Sequence, residues 1–278
     1  MSGTCTDPCQ APPQLIAAEG QPLFVPDGDL YVPTQWARGP WNKRFLHGGP
    51  PAALLAHALL ARREDPALAI ARMTIDLYRP VPYGPLAVDT VEVRSGRRIR
   101  LVDAFLRAGD TVVARAGALM LRRTPGAGGA TILAGPAPQT HIAHIPPLAL
   151  RGPDEADDAV FHQSVDCRST TAPKSDSPVQ AWFRLPFELL PGRALHGIER
   201  VAAISDFTSA VGGLCIGAPA RFINADISLA LQREPVGEWI CLAALARGDA
   251  DGIATSTVGV FDLQGLIGSA TCCCLRND

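Results

Sequence analysis

DISLALQREPVGEWICLAALARG, residues 226–248, reads as a strand opened by an aspartate, an Arg-Glu-Pro break and a second strand. The same order occurs earlier in DLYRPVPYGPLAVDTVEV, residues 76–93, with Arg-Pro at the break. Each stretch is followed by two further strand-like runs around a tight turn. The first pair, RRIRLVDAFLRAGDTVVARAGALMLRR (97–123), turns at Ala108-Gly109-Asp110. The second, GIATSTVGVFDLQGLIGSATCCCLRN (252–277), turns at Asp262-Leu263-Gln264-Gly265. Identity between the two is weak, but the order of features repeats, which implies an internal duplication.

Working outward, a helix precedes each strand block. GGPPAALLAHALLARRED, residues 48–65, has prolines suited to a first turn and places Leu54, Leu55 and Leu59 on one stripe. GIERVAAISDFTSAVGGLC, residues 197–215, is nearly apolar on all sides, as expected of one buried helix. The expected class is α+β: two tandem units, each a long helix wrapped by an antiparallel sheet, able to pack as a pseudo-dimer within one chain. The units are placed at 15–124 and 178–278, with a linker and irregular segment at 125–177, where Gly, Pro and Ala dominate before a polar stretch.

Composition narrows the partners. With 47% hydrophobic residues and a formal charge of -2, nothing attracts the chain to nucleic acid or an anionic membrane. No stretch approaches the roughly 20 apolar residues of a membrane span. The start, MSGTCTDPCQAPPQ, lacks the basic and apolar segments of a signal peptide, so a cytoplasmic location is expected. Lysine occurs only at 43 and 174, which we read as codon bias. Eight scattered cysteines are expected to be reduced. Cys5 and Cys9 have metal-like spacing and His141 and His144 share a loop, but neither pair finds the further ligands of a closed site, so no metal and no cofactor are expected.

Asp206 stands out as the one charged residue between Arg200 and Cys215. A carboxylate in so apolar a helix must be paired or hydrogen-bonded, and such a group suits a general base that activates water. The plainer alternative turns it toward solvent or a neighbouring loop. In RFINADISLAL, residues 221–231, alternation puts Asn224, Asp226 and Ser228 on one face, either facing water or meeting the other half of the molecule. His47-Gly48-Gly49, at the first helix's start, offers backbone N–H groups for a polarised carbonyl oxygen, or else makes a tight turn. His57, in mid-helix, reads as structural. Trp41, with Trp36 and Phe45, either walls an acyl pocket or packs the loop.

These stretches carry a resemblance. GPWNKRFLHGGPPAALLAHAL, VAAISDFTSAVGG, RFINADISLALQREPVGEWICL and VFDLQGLIGSAT, spanning about Trp41 to the end, resemble the thioesterase-like superfamily related to acyl-CoA thioesterase II. The resemblance implies a double hot-dog fold and an aspartate, a threonine and a glutamine that bind the attacking water. The aspartate falls on Asp206 and the threonine on Asn224. The glutamine falls on Cys272 or, with the gap moved, on Thr271, so it is absent. Cysteine is short and a poor hydrogen-bonding partner; it would fill the strand as a small hydrophobe or, given a nearby cation, act as a nucleophile.

The expectation is therefore an acyl-thioester hydrolase acting on acyl-CoA or an acyl-carrier protein, with catalytic candidates Asp206, Asn224, Cys272 and Thr271 and substrate-binding candidates His47, Gly48, Gly49 and Trp41. The alternatives are a hot-dog dehydratase, isomerase or cyclase of natural-product biosynthesis, or a non-catalytic acyl-binding relative. Exposed sheet edges are compatible with a homodimer or higher homo-oligomer.

Overall fold

The computed structural model describes residues 18–126, 129, 137–148, 150, 161–169, 179–216 and 222–277. Cys5 and Cys9 lie outside the described residues. A small hairpin of β1 (Phe24–Asp27) and β2 (Leu30–Pro33) leads to helix α1 (Gly49–Ala61). Strands β3 (Leu68–Leu77), β4 (Ala87–Arg94), β5 (Ile99–Ala108) and β6 (Thr111–Arg122) complete the first block. The second comprises β7 (Asp166–Ser169), β8 (Gln180–Arg184), the short pair β9 (Glu188–Leu190) and β10 (Arg193–Ala194), and helices α2 (Gly197–Ser205) and α3 (Thr208–Ile216). It ends with β11 (Phe222–Asn224), β12 (Asp226–Leu231), β13 (Trp239–Ala250), β14 (Ile253–Asp262) and β15 (Gly265–Arg276).

Eleven strands join one antiparallel sheet in the order β4-β5-β6-β3-β12-β15-β14-β13-β8-β7, with β11 also on β15. The two blocks meet where β3 pairs with β12, and there the two aspartates of the repeated pattern, Asp76 and Asp226, lie directly opposite each other. Asp226 opens its strand as expected, whereas Asp76 comes at the end of β3. The turns fall at the expected places, and Asp251-Gly252, both at positive φ, make a further two-residue hairpin. The double hot-dog expectation holds.

α1 starts with Pro50 and Pro51 in its first turn, and Leu54, Leu55 and Leu59 are fully buried. It packs on β4, β5, β6 and α2, so an all-round apolar helix is what this position requires. α2 is started by His196, whose side chain accepts from Ile198 N–H, and by Glu199, whose carboxylate returns to the His196 N–H.

Three expectations need correction. The second helix is not continuous: it breaks at Asp206-Phe207 into α2 and α3. The segment 125–177 is not all irregular, because Asp166–Ser169 forms edge strand β7 on β8 and Phe161–Ser164 makes a 3-10 turn whose Phe161 enters the core. And 221–231 is not one regular strand. β11 pairs with β15 through Asn224↔Cys274, while β12 pairs through Ser228↔Thr271, a register one residue out of step. That slip at Ala225 is a bulge, and it reverses which face Asn224 occupies relative to Ile227 and Leu229. No helix among the described residues is long and apolar enough to cross a membrane.

Candidate active site

α2 ends at Asp206, whose carboxylate points at the start of α1. Its Oδ2 lies 2.9 Å from His47 Nδ1, and its Oδ1 accepts from Asn224 Nδ2 at 2.6 Å. Asn224 Nδ2 also donates to the Asp206 main-chain carbonyl at 2.7 Å, so one amide holds both the side chain and the backbone at the helix end. The Gly49 N–H is within reach of His47 Nδ1, at 3.1 Å, and of the Asp206 carboxylate. A carboxylate only accepts, so the His47 proton sits on Nδ1 toward Asp206, and the Gly49 N–H is then best given to the carboxylate.

Burial alone would push the Asp206 carboxyl up. The hydrogen bonds from His47, Asn224 and Gly49, with the attraction of His47 whenever its imidazole is protonated, outweigh it and hold Asp206 below the usual carboxylate range. The group is an ionised carboxylate whose side chain is only 8% exposed.

Close approach makes this geometry attainable. A Cβ on Gly48 would lie 2.6 Å from both Asp206 oxygens, and one on Gly49 would lie 2.8 Å from the Ala203 carbonyl oxygen and 2.9 Å from the Phe161 ring. The two glycines admit the C-terminus of α2 against the N-terminus of α1. They do less for an oxyanion than the sequence suggests. Pro50 and Pro51 have no N–H, and the Gly49 N–H is engaged with His47 and Asp206, leaving Gly48 N–H as the remaining donor of the pair.

Aromatic rings enclose His47. Its ring centroid is 4.9 Å from that of Phe161 and 5.1 Å from that of Phe207, with Phe183 stacked 5.0 Å beyond Phe207. His162 stacks 6.2 Å from His47, is buried, and neither of its ring nitrogens has a partner among the described residues. Burial first, and His47 second, push its pKa down to about 3. Sequence reasoning missed Phe161 and His162, which sit in a polar, unpatterned stretch. Phe207, next to Asp206, was in view but carried no signal of its own.

The bulge at Ala225 decides which side chains of β15 the site meets. Cys272 and Cys274 face inward, with sulfurs 3.5 Å apart, and the Cys274 thiol donates to Asn224 Oδ1 at 3.4 Å. Hydrogen bonding with Cys274 and burial push the Cys272 thiol well above its ordinary range, the reverse of what a nucleophile needs. Thr271 points the other way, to the exposed face, where its hydroxyl meets Thr257 at 3.2 Å. Asp226 also turns from the cluster and accepts from the Cys273 N–H at 2.7 Å. Trp41 stands exposed in its loop, with no described hydrogen bond or ring contact to these groups. The fold thus brings together Asp206, Asn224, His47, Gly48 and Gly49, with Cys272 behind them, and leaves Thr271 and Trp41 outside.

A second polar cluster lies between the helices. His57 Nδ1 is 3.1 Å from Glu199 Oε1, Arg193 donates to both Glu199 oxygens, and the His196 N–H donates to Oε2. His57 is a structural partner, as expected. No group of three or more His, Cys, Asp or Glu placed to hold a metal occurs among the described residues.

Two family models match the chain: acyl-CoA thioesterase N-terminal domain over residues 37–121 and acyl-CoA thioesterase C-terminal domain over residues 143–272. Among solved structures, a Novosphingobium aromaticivorans protein provisionally named a thioesterase is similar at 22% identity and a TM-score of 0.73, covering 92% of this chain and 99% of that one. A hot-dog protein of unknown function from Alicyclobacillus acidocaldarius is similar at 17% identity and a TM-score of 0.70, over 92% and 96%. An acyl-CoA thioesterase II from Mycobacterium marinum is similar at 17% identity and a TM-score of 0.64, over 90% and 94%. Comparison with curated proteins gave no match.

Proposed function

Because the chain belongs to the acyl-CoA thioesterase family and is a thioester hydrolase, we propose that it cleaves acyl-CoA or acyl-carrier-protein thioesters with water activated at the Asp206 cluster. The observation that supports this most directly is the largely shielded, ionised Asp206 tied to His47 and Asn224 where α2 meets the start of α1. A carboxylate largely shielded from bulk water and fixed by three donors needs little reorganisation when charge develops beside it, which is how such a group lowers a hydrolytic barrier. The Phe161 and Phe207 rings keep the site apolar, as suits an acyl chain.

The test is release of free thiol from a panel of acyl-CoAs by wild type and Asp206→Ala. The expected loss is at least about a hundredfold; equal rates would overturn the role of Asp206. A second reading is supported by one specific observation. The Asn224 amide is already engaged by Asp206 and Cys274, and the inward face of β15 beside it carries thiols where the resemblance calls for glutamine. A site with so few groups free to hold water also suits a dehydratase, isomerase or cyclase. Asp206-dependent conversion of a β-hydroxyacyl or enoyl thioester at a rate well above that of thiol release from any substrate would select that reading.

A further inference from the structure

We infer that His47 is the general base of this site and that Asp206 acts through it, holding the Nδ1–H so that Nε2 faces the reacting water with a free lone pair. The inference rests on the hydrolytic reading above and assigns the proton transfer within it. Asp206 is badly placed to take a proton itself. Oδ1 is occupied by Asn224 at 2.6 Å, Oδ2 by His47 at 2.9 Å, and the Gly49 N–H adds a third donor. Gly48 covers the same carboxylate so closely that a single added carbon would lie 2.6 Å from both oxygens. An acceptor so fully engaged is weakly basic, but it is well suited to fixing an imidazole and stabilising the imidazolium that forms.

His47 has what Asp206 lacks. Its Nδ1 is committed to the carboxylate, which fixes the tautomer, and Nε2 has no hydrogen-bond partner among the described residues. Phe161 and Phe207 pack against the ring and hold its orientation, while about a tenth of the side chain stays exposed. The titratable groups facing the imidazole are Asp206 at the end of α2 and His162 from the 3-10 turn.

In the first half-reaction the water oxygen bonds to the thioester carbonyl carbon, its proton passes to Nε2, and the carbonyl π pair moves to oxygen. In the second the tetrahedral intermediate collapses, the C–S bond breaks with its electron pair leaving on sulfur, and the imidazolium returns the proton to the thiolate. The products are a carboxylic acid and a free thiol, and the histidine is regenerated.

The discriminating substitution is His47→Gln, whose amide can still donate to Asp206 but cannot carry a proton. On an acyl-CoA that wild type hydrolyses, the expected result is a fall in kcat of at least about a hundredfold with KM nearly unchanged. His47→Gly is expected to regain part of its rate on addition of imidazole. Activity of His47→Gln within about threefold of wild type would overturn the inference while leaving the hydrolytic reading intact. Should the variants fold poorly, the wild type alone decides: acylation of its histidines with diethylpyrocarbonate, mapped by peptide analysis, must abolish thiol release in step with modification of His47, and full activity in protein modified at His47 overturns the inference. If wild type releases no thiol from any acyl-CoA, the functional reading fails and this one with it.

Discussion

Gly48 touches the carboxylate of Asp206, with no room between them for a methyl group. The contact joins the first turn of the N-terminal helix to the last turn of a helix from the other half of the chain. Gly48→Ala must therefore displace the carboxylate from His47 and Asn224. The expected outcome is a loss of about a hundredfold in kcat/KM, because a shift near 1 Å is enough to spoil a reacting geometry. The accompanying loss of stability should be about 1–3 kcal/mol, the usual penalty of overpacking. Thiol-release kinetics beside a thermal melt checks both, and wild-type activity in a folded Gly48→Ala would contradict the contact.

Glu199 predicts an acid-labile helix junction. Burial would raise its carboxyl, but hydrogen bonds from His57, Arg193 and the His196 N–H, with the Arg193 charge, depress it from 4.5 to about 2. A depressed folded pKa means the stabilisation is complete above about pH 4.5 and is lost as pH falls toward 2. Glu199→Gln should cost about 2 kcal/mol at neutral pH, a figure kept modest because Arg193 is partly exposed. The gap from wild type should close on acidification, which denaturant melts across that pH range will measure.

His162 acts in a higher pH window. Its folded pKa, depressed from 6.5 to about 3 by burial and by His47, means the native state resists protonation. Wild type should lose stability as pH falls below 6.5, with the loss growing down to about 3. His162→Phe removes the proton acceptor and both unpartnered nitrogens, so its melting temperature at about pH 5 should exceed that of wild type. A variant less stable than wild type at that pH would show that His162 has a polar partner.

The cysteines of β15 should react unequally. Cys273 is exposed, whereas Cys272 and Cys274 are buried, and access decides the order even though the Cys273 thiol is itself raised in pKa and the Cys274 thiol is lowered by its hydrogen bond with Cys272. Brief alkylation of the native protein followed by peptide mapping should label Cys273 and spare its neighbours. Cys272→Ser should retain thioester hydrolysis within about tenfold, where loss of a nucleophile would cost several orders of magnitude.

Asn224→Asp should be more damaging than Asn224→Ala. It replaces the donor on Asp206 Oδ1 with a second carboxylate at about hydrogen-bond distance, so the two cannot both ionise. The expected outcome is activity that falls at neutral pH and depends more steeply on pH than in wild type, read from kcat/KM profiles of both variants.

How much of this was legible follows from the range over which each signal acts. Pro50, Pro51 and the leucines of α1, the turns at Gly109 and Asp262–Gly265, and the repeated order of strands are written within a few residues of one another, and local periodicity reports them directly. Asp206 was legible because a lone charge in an apolar stretch is anomalous anywhere. The helix break beside it was not, since Asp206-Phe207 carries neither glycine nor proline. Nor was the register slip at Ala225, although that slip puts Asn224 against Asp206 and Cys274 beside Asn224.

The sequence by itself determined the double α+β architecture, because pattern encodes which face of each element is buried, and its motifs carried the family resemblance and singled out Asp206 as an isolated charge. Only the tertiary structure decided that His47 bonds that aspartate, that Gly48 packs against it, that His162 and Phe161 come from the unpatterned segment to pack on His47, and that Thr271 faces away. Those are relations between elements far apart in the chain. Burial periodicity says that a side chain must be covered; the packing of α1 against α2 and the pairing of β11 with β15 say by what.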